Sequence, residues 1–179
     1  MKEEIICAGF GGQGIMFLGK LLAYLGMKEG KFVTWMPSYG AEVRGGTAHS
    51  MVIISSEEIA SPLVNKPTTA IIMNQPSADK FLPRIKSGSL AIINTSLAVV
   101  KSLNCDLDIL KIPATEIAVQ LGNIKTANMV ILGAYLAKNK ICHLEKAKKV
   151  LKEVFSGKLL KINEEALDAG YEFTLNSKL

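Results

Sequence analysis

The stretch "IICAGFGGQGIM", residues 5–16, passes an apolar run through a glycine-rich turn into a helix-like segment. The first four residues, Ile5 to Ala8, read as a short strand with both faces buried, the kind found inside a parallel sheet. Gly9, Gly11 and Gly14 then satisfy GxGxxG, the turn in which a strand delivers a helix whose first N–H groups can face a phosphate. The spacing has two uses, an anion site or close packing of helix on strand, and the segments that follow must separate them.

Working outward, residues 14–28 read as a helix, and "KFVTWM" at 31–36 as a strand stopped by Pro37, so the first three elements make one βαβ unit. Further strands are expected at 47–54, 69–73, 90–93 and 107–112. Helices are expected at 77–86, with Asp79 in the first turn and Gly88 as the stop, and at 115–121, 127–138 and 143–155. The tail from 163 to 179 reads as a short helix with a polar end. This alternation predicts a doubly wound α/β fold, a mostly parallel sheet with helices on both faces, in one domain spanning 1–179.

The totals fit that reading. A chain of 179 residues that is 49% hydrophobic and 21% charged is globular and can bury a core without disulfides or metal. Its mean hydropathy of +0.26 is high for a protein standing alone, which suggests shared apolar surface. Its longest apolar stretches fall short of the ~18 residues that span a bilayer. The N-terminus lacks a signal-peptide pattern, so a cytoplasmic location without membrane attachment is expected. Cys7, Cys105 and Cys142 are scattered with no CxxC pair, hence reduced thiols and no zinc or iron–sulfur ligation. The net charge of +5 raises nucleic-acid binding, but "KNKICHLEKAKKVLK" at 138–152 has no interleaved aromatics and reads as a solvated helix face. That face could also steer an acidic partner.

Two helical segments, "GIMFLGKLLAYLGM" and "ANMVILGAYLA", are apolar all round, where a surface helix shows one stripe. Either a partner subunit or the C-terminal helices of the same chain must cover them.

A dinucleotide site needs an acidic residue about 20 positions beyond the glycine turn, at the end of the second strand. That strand ends in Thr34, Trp35 and Met36, and Glu29 precedes it, so NAD is disfavoured. A Walker-type loop is absent as well, and His49 and His143 have no nucleophile or acidic orienter beside them. No catalytic and no metal-binding residue is therefore assigned. The candidate binding residues lie in three loops at the carboxyl edge of the expected sheet. They are Gly11, Gly12, Gln13 and Gly14 of the first turn; Ser38, Glu42, Arg44, Gly45 and Gly46 of "PSYGAEVRGG"; and Asn74 and Gln75 of "MNQPS". Arg44 is one of two arginines in the chain, and its planar fork suits a carboxylate or phosphate. The alternative is an internal Glu42–Arg44 contact that stiffens the loop.

Together "IICAGFGGQGIMFLGKLLA", "PSYGAEVRGGTAHSMVIIS" and "SPLVNKPTTAIIMNQPS", in that order, resemble the gamma subunit of 2-oxoacid:ferredoxin oxidoreductases, most closely those for 2-oxoglutarate or 2-oxoisovalerate. The resemblance covers nearly the whole chain. It implies an assembly that oxidatively decarboxylates a 2-oxoacid, 2-oxoglutarate by preference, transfers the acyl group to coenzyme A and reduces ferredoxin. It implies alpha, beta and ferredoxin-like delta partners that hold thiamine diphosphate, magnesium and iron–sulfur clusters, while this chain alone binds no cofactor. The gamma domain would lie at the active-site entrance, with the glycine and arginine loops meeting coenzyme A, a shared substrate, or a neighbouring subunit. A purely architectural adaptor is the alternative.

Overall fold

The structure is a computed structural model that describes residues 1–38, 47–100, 106–139 and 141–177. Six strands form one sheet: β1 (Lys2–Phe10), β2 (Phe32–Ser38), β3 (Thr47–Ser55), β4 (Thr69–Ile72), β5 (Ser89–Asn94) and β6 (Leu107–Ile112), in the order β2-β3-β1-β4-β5-β6. β1, β4, β5 and β6 run parallel to one another, and β3 is antiparallel to both β1 and β2. The sheet is thus mostly parallel, with one reversed strand inside it.

That reversed strand corrects the expected βαβ unit. β2 points the same way as β1, but β3 lies between them and pairs with β1 along its whole length, from Lys2↔Ser55 to Phe10↔Thr47. The reason is burial. Val52, Ile53 and Ile54 are fully buried and face both sides of the sheet, so β3 belongs in the interior, whereas β2 exposes Phe32 and Trp35 and suits an edge. Pro37 also does not end β2, which continues to Ser38, and proline is tolerated in an edge strand.

Side chains alternate across the sheet with the strand period of two. Ile5 and Cys7, Val52 and Ile54, Ile71 and Met73 enter one core; Ile6 and Ala8, Ile53, Ala70 and Ile72 enter the other. The first core is roofed by α1 (Ile15–Lys28), α3 (Ala114–Gln120), α4 (Ala127–Lys138), α5 (Leu144–Val154) and α6 (Gly157–Asn176). The second is covered by the short α2 (Gln75–Phe81), the 3-10 turn Leu82–Arg84, and Ile59 and Val64 from the segment before β4.

The C-terminal helix is longer than the expected tail, with 20 residues from Gly157 to Asn176. It supplies the cover for α4, whose residues Ala127 to Leu136 are all buried. At the crossing Gly133 lies against the α6 backbone at Leu167 and Tyr171, and Gly170 lies against Val130. Most of α1 is likewise covered by its own chain: Gly19 meets Ser50 and Trp35, and Gly26 meets Ile54 and Val33. The apolar helices are enclosed chiefly from within the chain, which answers the question their composition raised.

Candidate functional site

The carboxyl ends of the parallel strands line up across the sheet. Ser38 of β2 and Ala8 of β1 both pair with His49, and Ala8 pairs in turn with Ile72, Ile72 with Ile93, and Ile93 with Lys111. The connection from β1 runs to one side of the sheet and that from β4 to the other. The crevice between the 10–14 and 73–75 segments is therefore a topological switch point, where open sheets bind ligands.

The glycine turn is shaped by contacts that demand glycine. Gly12 and Gly14 have φ of 94° and 73°, in the left-handed region where a side chain is strained. A Cβ on Gly9 would stand 2.6 Å from Gln13 Oε1, and one on Gly14 would collide with the amide of Asn128. Gln13 folds back into the space beside Gly9, where its Oε1 accepts from the Phe10 N–H at 2.7 Å. The same oxygen accepts from Asn74 Nδ2 at 3.1 Å, and Gln13 Nε2 donates to the Met73 carbonyl at 3.4 Å. Gln13 is thus the link that ties the glycine turn to the loop after β4.

The neighbouring amides are committed in the same manner. Asn74, 1% exposed, caps α2 by accepting from the Ser77 N–H at 3.0 Å. Gln75 accepts from the Val99 N–H and donates to Asp79, both at 2.8 Å. Asn94, at the end of β5, donates to the Met73 carbonyl at 3.3 Å and to Thr115 Oγ1 at 2.8 Å. Asn128 Nδ2 donates to the Gly14 carbonyl at 3.4 Å, which joins the start of α4 to that of α1. Buried polar atoms must find partners, and these side-chain amides satisfy backbone groups at positions 10–14, 73–77 and 99.

Of the candidate residues, the structure brings Gly11 to Gly14 together with Asn74 and Gln75 and places Ser38 on the same edge, two strands from β1. Glu42, Arg44, Gly45 and Gly46 lie outside the described residues. Gln13 and Asn74 turn toward each other between the two loops, Gln75 bonds to Val99 and Asp79 at the exposed surface, and Gly11 and Gly12 are the exposed glycines of the turn. Asn94, Thr115 and Asn128 were not expected. One signal for Asn94 was present: "IIN" ends β5 with an amide as "IIMN" ends β4.

A cleft of about 170 Å³ opens beside the turn, between Gly12, Gln13, Met73 and Thr115 on one side and the 124–127 segment on the other. No activated nucleophile accompanies it. Burial pushes the Cys7 thiol up to about 12 against a weaker opposing hydrogen bond from Ser50, and burial pushes Cys142 up to about 11. His49 packs its ring on Phe81 at 4.9 Å. Among the described residues no three metal-ligating side chains converge, and no helix is long and apolar enough to cross a membrane. In α5, Lys146 pairs with Glu29, Lys148 with Asp168 and Glu145, and Lys152 with Glu164. Much of this basic face is therefore neutralised within the chain.

Residues 4–173 match the family described as pyruvate ferredoxin/flavodoxin oxidoreductase. The chain is 36% identical over 176 residues to the ketoisovalerate oxidoreductase subunit VorA of Methanothermobacter marburgensis, in a match covering 96% of this chain and 36% of VorA. It thus spans about a third of the length of that relative. It is 33% identical to the 2-oxoglutarate synthase subunit KorC of Methanocaldococcus jannaschii, covering 96% of this chain and 94% of KorC. The gamma subunit of a keto/oxoacid ferredoxin oxidoreductase from Geobacter sulfurreducens superposes with a TM-score of 0.85 at 27% identity, over 97% of this chain and 99% of that one. The same fold recurs in the 2-oxoglutarate:ferredoxin oxidoreductase of Magnetococcus marinus, solved with 2-oxoglutarate, coenzyme A and succinyl-CoA bound. There the TM-score is 0.88 at 24% identity, over 98% of this chain and 31% of that one.

Proposed function

Because this chain belongs to the pyruvate ferredoxin/flavodoxin oxidoreductase family, we propose that it is the gamma subunit of a heteromeric 2-oxoacid:ferredoxin oxidoreductase, built as one domain and working in the cytoplasm. The assembly decarboxylates a 2-oxoacid oxidatively, forms the acyl-CoA and passes electrons to ferredoxin. The observation that carries this reading is the end-to-end match to KorC, at 94% of that subunit's length, and its name favours 2-oxoglutarate as the substrate. Thiamine diphosphate, magnesium and iron–sulfur clusters belong to the alpha, beta and delta partners, and this chain contributes no catalytic group.

Its contribution is a rim. Gly11 and Gly12 offer backbone without side chains, and Ser38, Glu42, Arg44, Gly45 and Gly46 are the other ligand-meeting residues of this reading. Coenzyme A passes between them, with Arg44 gripping a phosphate by two parallel bonds. Gln13, Asn74 and Gln75 hold the rim's shape. The coenzyme A bound in the Magnetococcus marinus enzyme supports a place for this substrate in the assembly. A second reading, an adaptor without ligand contact, is favoured by one observation: those three amides are occupied by the protein's own backbone and side chains.

Steady-state kinetics of the assembled enzyme with Arg44→Ala separate the two. The coenzyme A reading expects the KM for coenzyme A to rise at least tenfold with decarboxylation intact. An assembled variant with unchanged KM removes that role, and failure of the variant to join the complex supports the adaptor.

A further inference from the structure

We propose that the cleft beside the glycine turn binds a small aliphatic carboxylate of about four to six carbons, with Lys125 holding the carboxylate. At roughly 20–30 Å³ per non-hydrogen atom, its volume of about 170 Å³ holds a molecule of that size. Pockets for nucleotides and comparable ligands take ~300–1,000 Å³, so the nucleotide part of coenzyme A does not fit. The inference therefore goes beyond the proposed function, which gives this chain no carboxylate site.

The chemistry of the walls selects the ligand. Met73, Leu97, Ile124 and Ala127 are apolar, and Leu97 and Ile124 stand 43% and 58% exposed at the mouth, where an aliphatic body would take them out of water. Lys125 is the one charged lining group, no carboxylate lines the cleft, and Lys125 pairs with no acid among the described residues. Its backbone N–H is held at 3.0 Å by Asn123 Oδ1, which fixes where the side chain departs. The start of α1 lies at this rim with no acidic residue in its first turn and no side-chain cap, which favours negative charge there. Thr115 adds a hydroxyl to the wall.

The test is a titration of the full 179-residue chain, 15N-labelled, with isovalerate and with 2-oxoisovalerate, read on the backbone amides of Gly12, Thr115 and Lys125. Saturable shifts of these amides are expected with either acid. The neutral isostere 3-methylbutanol and the variant Lys125→Gln should each bind at least tenfold more weakly, and Ile124→Asp should abolish binding. Both positions are exposed, and a dispersed spectrum verifies the fold; Leu97→Ala provides a second apolar variant with the same expected direction. The inference is overturned by the absence of saturable shifts, by unchanged affinity in Lys125→Gln, or by inorganic phosphate or coenzyme A binding the same amides more tightly than the acids. None of these outcomes depends on Arg44, so the proposed function stands or falls separately.

Discussion

Gly133 and Gly170 let α4 and α6 cross backbone to backbone: a Cβ on Gly133 would collide with the Leu167 carbonyl oxygen, and one on Gly170 with that of Val130. The obstructing atoms are main-chain, so neither helix can yield by turning a side chain. In an open helix, glycine to alanine gains up to ~1 kcal/mol. Here we expect the opposite sign, a loss of about 1–3 kcal/mol for Gly133→Ala or Gly170→Ala as the helices are forced apart. Urea unfolding of each variant measures it, and a neutral or stabilising result would mean that the helices are farther apart than described.

The link between Gln13 and Asn74 makes a sharper prediction, because each side chain has other work. Asn74→Ala removes the cap of α2 and should cost about 1 kcal/mol. Gln13→Ala removes the acceptor of the Phe10 N–H and one of two donors to the Met73 carbonyl, which Asn94 still bonds, and should cost about 0.5–1.5 kcal/mol. Since both variants break the same 3.1 Å bond, the double variant should cost less than the sum, with a coupling of at least ~0.5 kcal/mol. Additive losses in a double-mutant cycle would show that the two loops are stabilised independently.

What could be read from the sequence follows from what local patterns encode. Residues 107–112 and 127–138 are bounded in the structure as expected: Pro113 stops the first, a half-buried strand, and Thr126 and the polar stop at Asn139 flank the second, a buried helix. α6 begins before the expected 163–179 tail helix because packing on α4 overrides the low helix propensity of Gly157 and Gly170, and Gly170 is needed at the crossing. The reversal of β3 has no local signature, because a buried strand reads alike in either direction. At the site, the loops could be found by their place after strands. The inward turn of Gln13 and Asn74 could not, since it depends on the neighbouring loop, and the cleft draws its walls from several separate segments.

Tyr24 and Lys28 on α1 meet Glu153 on α5, and this cluster offers a titration test. The Tyr24 hydroxyl first, and Lys28 second, hold the Glu153 carboxyl below its ordinary value. A carboxyl lowered on folding contributes stability above its unfolded pKa and loses it as pH falls through the folded one. Following Glu153 by NMR, Tyr24→Phe should move its pKa upward toward the ordinary range. At neutral pH the stability change should be small, because the cluster is solvent-exposed and screened. An unmoved pKa would remove the hydroxyl as the main cause.

The buried thiols predict behaviour at alkaline pH. Cys7 is fully buried on β1 and Cys142 nearly so before α5, and burial opposes the thiolate in both. Only the thiolate alkylates readily, so iodoacetamide at pH 8 should leave both unmodified in the folded chain and modify both in concentrated urea, as peptide mass spectrometry can show. The stability consequence has a definite sign. An ordinary thiol near 9.0 that is raised to about 12 on folding, as Cys7 is, leaves the folded state holding a proton that the unfolded state releases. Its contribution is complete below pH 9 and declines as pH rises toward 12, with a slope approaching ~1.4 kcal/mol per pH unit for a fully buried group. Cys142 adds a decline in the same direction, from 9.0 toward about 11. Urea unfolding at pH 8 and pH 10 should therefore show a loss of stability that is smaller in Cys7→Ala than in the parent chain. An equal loss in both would place the alkaline sensitivity elsewhere, and rapid alkylation of Cys7 at pH 8 would show that β1 opens without global unfolding.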